Sequence, residues 1–382
     1  MTSTRTVTEE LLAWLRVSPR EAQAPADWDA LLAEAVAHSA APQLFARLAA
    51  VGKTGIVPPA VMQCAMLAMV KQKQQVATLP AELKELLQAL HDRGITPTLL
   101  KGAHLATLVY PELSHRPMAD LDLLVEPSQL EAAKQALESI GYETRWYGEQ
   151  DDHGHALSPM RKGSSIPVEL HWTLTSESDA VQLDLDAMRA RSEEVTLYGQ
   201  PARVFSGEDL LLYICIHAGV MHTFGEKGLR PIFDILAILE HYKQLDWTAI
   251  QERAKAAGAA RATWLMLELV RTSCNAPIPA LAMPERVSSK VVDAARAQVF
   301  ERPGVRLHDV SPTQVASAMH DPKRLVSYVF AGGLRGAAKK LRNLVTRYGG
   351  FLRQDRAIVT SAAKRTWRQT VLTSWMKKEI SR

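Results

Sequence analysis

Between residues 94 and 205 the chain leaves a helical rhythm, and that interruption decides most of what it can fold into. From residue 6 to about 93, apolar residues recur at intervals of three and four through TVTEELLAWLRV, DWDALLAEAVAHSAAPQLFARLAAVG and LPAELKELLQALHDRG, with breaks at Pro25, Pro42, Gly52 and Pro58. Past Gly94 the texture is mixed. ITPTLL, DLDLLV, YETRWYG, HALSPMRKG and IPVELHWTL read as strands, whereas KGAHLATLVYPE and SQLEAAKQALESIG read as helices, the second closed by Gly141. After GEDLLLYICIHAGVMH the helical pattern returns through at least Arg271, and it resumes at DPKRLVSYVF. The plan is α+β, with a helical region over 1–93, a mixed sheet with helices over 94–205, a helical domain over 206–310 and a basic helical tail over 311–382. One internal echo crosses the sheet region: DWDALLAEAVAHSAAPQLFARL and DWTAIQERAKAAGAARATWLML align without gaps.

Inside the mixed segment, MADLDLLV sets Asp120 and Asp122 one residue apart in an otherwise apolar run. On a strand, residues i and i+2 share a face and lie about 6.5 Å apart. Two carboxylates so placed repel each other and lose hydration unless a cation sits between them. A divalent ion is one remedy, and Mg²⁺ favours a couple of carboxylates plus phosphate oxygens. An ion pair with Arg116 is the other. Upstream, LLKGAHL runs a short strand through Lys101-Gly102 into a helix, where glycine permits close phosphate approach and unpaired N–H groups favour anions. Downstream, VELHW sets Glu169 in a second apolar strand, a third acid within reach of the same ions, and His171 shares its face.

Composition narrows the classes. Cys64, Cys215 and Cys274 form no CxxC spacing, and no segment reaches about 18 uninterrupted apolar residues, so a non-secreted, cytoplasmic protein without a transmembrane segment is expected. The histidines His153, His155, His217 and His222 have no zinc-binding spacing. Residues 321–382 carry 15 Lys/Arg against 3 Asp/Glu, a local +12 within a total of +4, which leaves −8 on the rest. A basic tail on an acidic body suits an anionic partner such as RNA, a membrane surface or an acidic polypeptide; a solvated helical face is the plainer account.

LLKGAHLATLVYPELSHRPMADLDLLV, VELHW, and the pairing of EDLLLYICIHAG with GLRPIFDILAIL resemble the bacterial family of uncharacterised nucleotidyltransferases, within the superfamily that includes DNA polymerase β. The resemblance spans about Asp27 to Pro277 and is most specific from Leu99 to Val125. It implies a polymerase β-like nucleotidyltransferase domain flanked by helices, moving NMP from an NTP co-substrate to an acceptor hydroxyl or phosphate by a two-metal mechanism with Mg²⁺, or Mn²⁺ in its place. By the same resemblance Asp120 and Asp122 hold the metals, Glu169 ligates the catalytic metal and helps activate the acceptor, and Gly102 with its helix receives the β- and γ-phosphates. Lys101 stands where glycine is typical, and a lysine there can serve as a phosphate charge.

Other polar residues carry two readings each. Arg116 faces triphosphate charge or partners Asp120. His171 serves near the acceptor or is a hydrogen-bonded core residue. Arg230 and Asp234, one turn apart, support their helix as an i, i+4 pair or contact base or acceptor. For the acceptor, a peptide or protein ranks ahead of RNA and a small metabolite. The alternatives to nucleotidyl transfer are a non-catalytic nucleotide-binding or interaction protein, and phosphoryl or glycosyl transfer from a nucleotide donor at the same site.

Overall fold

The computed structural model describes residues 6–16, 24–144, 156–157, 159–163, 165–175, 181–225, 227–279 and 287–301, with 368–369, 371–373 and 375–376. The histidines of HGH and nearly all of the basic segment 321–382 lie outside the described residues. The chain opens with helices α1 (Val7–Trp14), α2 (Trp28–Ala37), α3 (Ala41–Ala50), α4 (Pro59–Gln75) and α5 (Leu79–His91). Thr6 and Glu9 start α1 with a reciprocal capping box, as the TVTE sequence dictates.

Seven strands then form one mixed sheet: β1 (Thr98–Leu99), β2 (Leu121–Leu124), β3 (Glu143–Thr144), β4 (Met160–Arg161), β5 (Val168–His171), β6 (Glu193–Leu197) and β7 (Gln200–Val204), in the order β3-β4-β5-β2-β1-β7-β6. The central β2 runs parallel to β5 and antiparallel to β1. With the helices around it, the architecture is α+β as expected. The β6–β7 hairpin was not anticipated. Its two-residue turn places Tyr198 at φ 53° and Gly199 at φ 84°, the left-handed pair that twisted hairpins require, but with tyrosine where asparagine or aspartate usually signals it.

The two faces of the sheet join different cores. Leu121, Leu123, Leu99 and Leu170 pack with Leu83, Leu86 and Leu90 of α5 and with α7 (Leu130–Ser139). Leu100 and Leu124 belong to a second core, built from α1–α3 together with α9 (Gly207–Ile216), α10 (Arg230–His241), α12 (Ala260–Cys274) and α13 (Ser289–Val299). Helices from both ends of the chain thus share one core on one side of the sheet, while α5 covers the other. Leu372, in the short described piece near the C-terminus, also enters the larger core.

The sequence echo has a structural counterpart. Asp27 caps α2 by accepting from the Ala30 N–H at 2.9 Å, and Asp246 caps α11 (Trp247–Ala256) by accepting from the Ala249 N–H at 3.0 Å. Each helix ends in a tight turn with one residue at positive φ, Ser39 in the first unit and Gly258 in the second, before α3 and α12 begin at matching positions.

One buried histidine gives the fold a calculable acid sensitivity. His104, closing α6 (Lys101–His104), is fully buried, with its Nε2 3.4 Å from the Tyr242 hydroxyl. Burial, with a smaller contribution from His241, depresses its pKa to about 3. Above about pH 6.5 neither state is protonated at this site; below it the unfolded chain gains a proton that the native ring refuses, so stability falls by about 1.4 kcal/mol per pH unit. Unfolding midpoints measured from about pH 6.5 to 4.5 should therefore decline less steeply in His104→Gln than in the parent, and identical slopes would count against a neutral His104.

Candidate active site

The site begins with the strand pairing. Parallel β2 and β5 set Asp122 opposite Glu169 and Leu124 opposite His171. Because side chains alternate, Leu121 and Leu123 point to the α5 side and Asp122 points away, toward α9. The strand starts at Leu121, so Asp120 lies just before it, one residue short of the expected span; its carboxylate still lines the same cavity as Asp122 and Glu169. That cavity has a volume of about 590 Å³ between sheet and helices.

Asp122 is held from two sides. His171 Nε2 lies 3.0 Å from its Oδ1 and Lys101 Nζ 3.3 Å from its Oδ2. His171 Nε2 is also 3.7 Å from Glu169 Oε2, so the histidine bridges the two strand acids. The ligand atoms of Asp122, Glu169 and His171 all fall within 4.8 Å of one another, a grouping that can hold a metal ion. His171 is thus a buried, hydrogen-bonded residue that touches both acids.

Electrostatics separate the two aspartates. Burial would raise the pKa of Asp122, but Lys101 and the His171 hydrogen bond outweigh it and hold the carboxyl far below its usual range. For Asp120, burial and then the charges of Asp122 and Glu169 raise the pKa. Asp120 has no ion-pair or hydrogen-bond partner among the described residues. Burial disfavours charge on Lys101 too, yet Tyr213, Asp122, Asp120 and Glu169 together lift it above the ordinary lysine range. Lys101 Nζ lies 5.8 Å from the Tyr213 ring centroid.

Backbone geometry marks the same spot. Lys101 has φ 33°, a left-handed conformation costly for a residue with a side chain, whereas Gly102 beside it does not. The helix it opens passes at once into a π turn over Leu105–Val109, and α9 passes into another over His217–Met221. Such turns gather at functional sites, where they redirect side chains. His217 borders the cavity and is kept neutral by burial, followed by the charge of Lys101.

Arg116 has a partner other than Asp120. Its Nε and Nη2 donate to Asp234 Oδ1 and Oδ2 at 2.6 and 2.9 Å, and the Tyr110 hydroxyl donates to Oδ1 at 2.9 Å. The Asp234 carboxylate is therefore taken by Arg116 and Tyr110, and Arg230 keeps no ion pair among the described residues, in contrast to the expected i, i+4 pair. Arg230 and Lys227 both line the cavity, as do Lys101, Gly102 and Arg116. The sequence reading passed over Tyr213, Tyr110 and Lys227; the one available signal for Lys227 was its place two residues before LRPIFD.

A sheet whose adjacent strands present acids to a cavity edged with cations suits an enzyme that handles a phosphorylated substrate. The model of the uncharacterised nucleotidyltransferase family matches residues 24–275, a span containing every residue of this site, and the chain belongs to that family. It is a nucleotidyltransferase, with an NTP as substrate, built on an α+β frame. No curated protein and no solved structure matches the chain. None of its described helices is long and apolar enough to cross a membrane.

The Arg116–Asp234 pair is buried on both sides, so removing one partner strands a charge. Asp234→Ala should lower stability by about 3–5 kcal/mol in denaturant unfolding. Arg116→Met combined with Asp234→Leu should recover much of that loss, and a double variant as unstable as the single would contradict the pairing.

Proposed function

We propose that this cavity transfers NMP from a Mg²⁺-bound NTP to an acceptor hydroxyl, with Asp120, Asp122 and Glu169 holding two metal ions. The observation that carries the reading is Asp120: a half-buried carboxylate on the cavity wall without a partner among the described residues, its pKa raised by burial and by two neighbouring acids. A divalent cation removes that penalty, and three carboxylates are a hard-oxygen set suited to Mg²⁺, with Mn²⁺ as a substitute. When bound, the ions would neutralise the triphosphate and lower the pKa of the acceptor hydroxyl.

The chain's own residues do the positioning. Lys101 and His171 fix Asp122 from opposite oxygens, so its orientation is set before substrate arrives. Glu169, with its side chain 28% exposed against 6% for Asp122, stands at the open side of the pair, where an acceptor hydroxyl enters. The acceptor hydroxyl gives its proton to Glu169, its oxygen bonds to the α-phosphorus, the bond from that phosphorus to the α–β bridging oxygen breaks, and pyrophosphate leaves. Gly102, at the start of α6, lines the same cavity beside Asp122. For the acceptor we favour a peptide or protein over RNA or a small metabolite, because the +12 segment 321–382 suits an acidic polypeptide and holds no aromatic-studded RNA motif.

One observation favours nucleotide binding without transfer: the Lys101 ammonium already occupies Asp122 Oδ2. The two readings separate in one experiment. With Mg²⁺, each α-labelled NTP and a cell extract, the wild type should transfer label to an acceptor, and Asp120→Ala with Asp122→Ala should reduce transfer at least about a hundredfold. Undiminished transfer by the double variant would remove the acids from the mechanism, and saturable NTP binding without pyrophosphate release would leave the binding reading.

A further inference from the structure

Among the described residues, charge accounting around the cavity leaves two cations without an ion-pair partner. Of the basic side chains that line it, Arg116 is taken by Asp234 and Lys101 by Asp122. Both were expected from sequence to meet phosphate, and both guanidinium and ammonium already face carboxylates. Lys227 and Arg230 remain. Neither has an ion pair or a side-chain hydrogen bond among the described residues, although Asp120 shares their cavity. Arg230 is half-buried, and a second guanidinium, Arg116, lies close enough to repel it. The pKa of Arg230 is pushed down to about 10, first by burial and then by Arg116; that of Lys227 is lowered by burial as well. Two cations on one cavity wall, neither paired among the described residues, are placed to receive an anion.

Their placement is prepared rather than incidental. Arg230 opens α10 and Lys227 stands just before it, where the positive end of the helix dipole adds to their charge. The connection between them is fastened from the N-terminal helices: the Leu229 N–H donates to His38 Nδ1 at 3.2 Å, and His38 Nε2 lies 3.3 Å from Glu34. That tie reaches across 191 positions of sequence to fix a two-cation turn at the cavity wall.

We propose that Lys227 and Arg230 are the seat for the terminal phosphates of the donor, and so for the departing pyrophosphate. This deepens the nucleotidyltransferase reading and rests on it. Lys101 and Arg116 then act on the protein's own carboxylates, Lys101 as the fixed partner of Asp122 and Arg116 as the tie between the β2 approach and α10. The seat lies on the helical side of the cavity and the acids lie on the sheet side, so a triphosphate spans the two.

The test titrates inorganic pyrophosphate, and separately each common NTP, with Mg²⁺ into the full chain by calorimetry. Variants are Lys227→Met, Arg230→Met and Arg230→Lys, and the unfolding midpoint of each is measured without ligand. Lys227→Met and Arg230→Met should each weaken pyrophosphate and NTP binding at least about tenfold, and Arg230→Lys should weaken it less. The ligand-free midpoint of Arg230→Met should rise or stay level, because a half-buried charge that Arg116 repels is removed; a structural ion-pair partner would lower it. A wild type that binds pyrophosphate and NTP with affinities that the methionine variants retain would overturn the seat and leave the transferase reading intact. A wild type that binds neither pyrophosphate nor any NTP would overturn both.

Discussion

The parallel pairing of β2 with β5 is the constraint on which the rest depends. It sets Asp122 beside Glu169 and brings His171 to the Asp122 carboxylate at 3.0 Å, so acids from strands 47 positions apart act as one group. A shift of β2 by one residue would turn Asp122 to the α5 side, away from Glu169, and bring Leu121 and Leu123 into the cavity. The leucines that fill the core on the α5 side therefore hold the register that assembles the acids. Packing and chemistry are two faces of the same strand.

Around that register the structure balances charge at short range. Asp122 is fixed by Lys101 and His171, and Asp234 by Arg116 and Tyr110, each carboxylate held through both oxygens or from two residues. The second network joins the turn that leads into β2 to helix α10, so the sheet side and helical side of the cavity are fastened together. Asp120 on one wall and Lys227 with Arg230 on the other stay outside these pairs. Metal and triphosphate together would complete both walls at once. The left-handed backbone of Lys101 fits this scheme, since its strain is offset where its ammonium meets Asp122 and the Tyr213 ring.

What the sequence disclosed follows from which interactions are local. Alternation along a strand is local, so DLDLLV and VELHW revealed their inward acids, and the shift from helical to strand rhythm revealed the α+β plan. Pairing across distance is not. Arg116 reaches Asp234 across 118 positions, and nothing in GLRPIFDIL distinguishes that arrangement from an i, i+4 pair with Arg230. Lys227 resembles any loop lysine until the fold sets it on the cavity wall. The β6–β7 hairpin was missed because Tyr198 takes a turn conformation that its side chain disfavours. Helix α5 read as part of the N-terminal helical run, since periodicity shows that a helix has an apolar face but not which core receives it.

The central claim is that the acids on β2 and β5 form a divalent-metal centre that works with a nucleotide. Electron paramagnetic resonance of added Mn²⁺, recorded with the full chain and a non-hydrolysable NTP analogue, tests it directly. The account predicts stoichiometric loss of the free Mn²⁺ signal in the wild type and its return when Asp120, Asp122 and Glu169 are replaced by alanine. A free-ion signal as strong with the wild type as with that triple variant would contradict it.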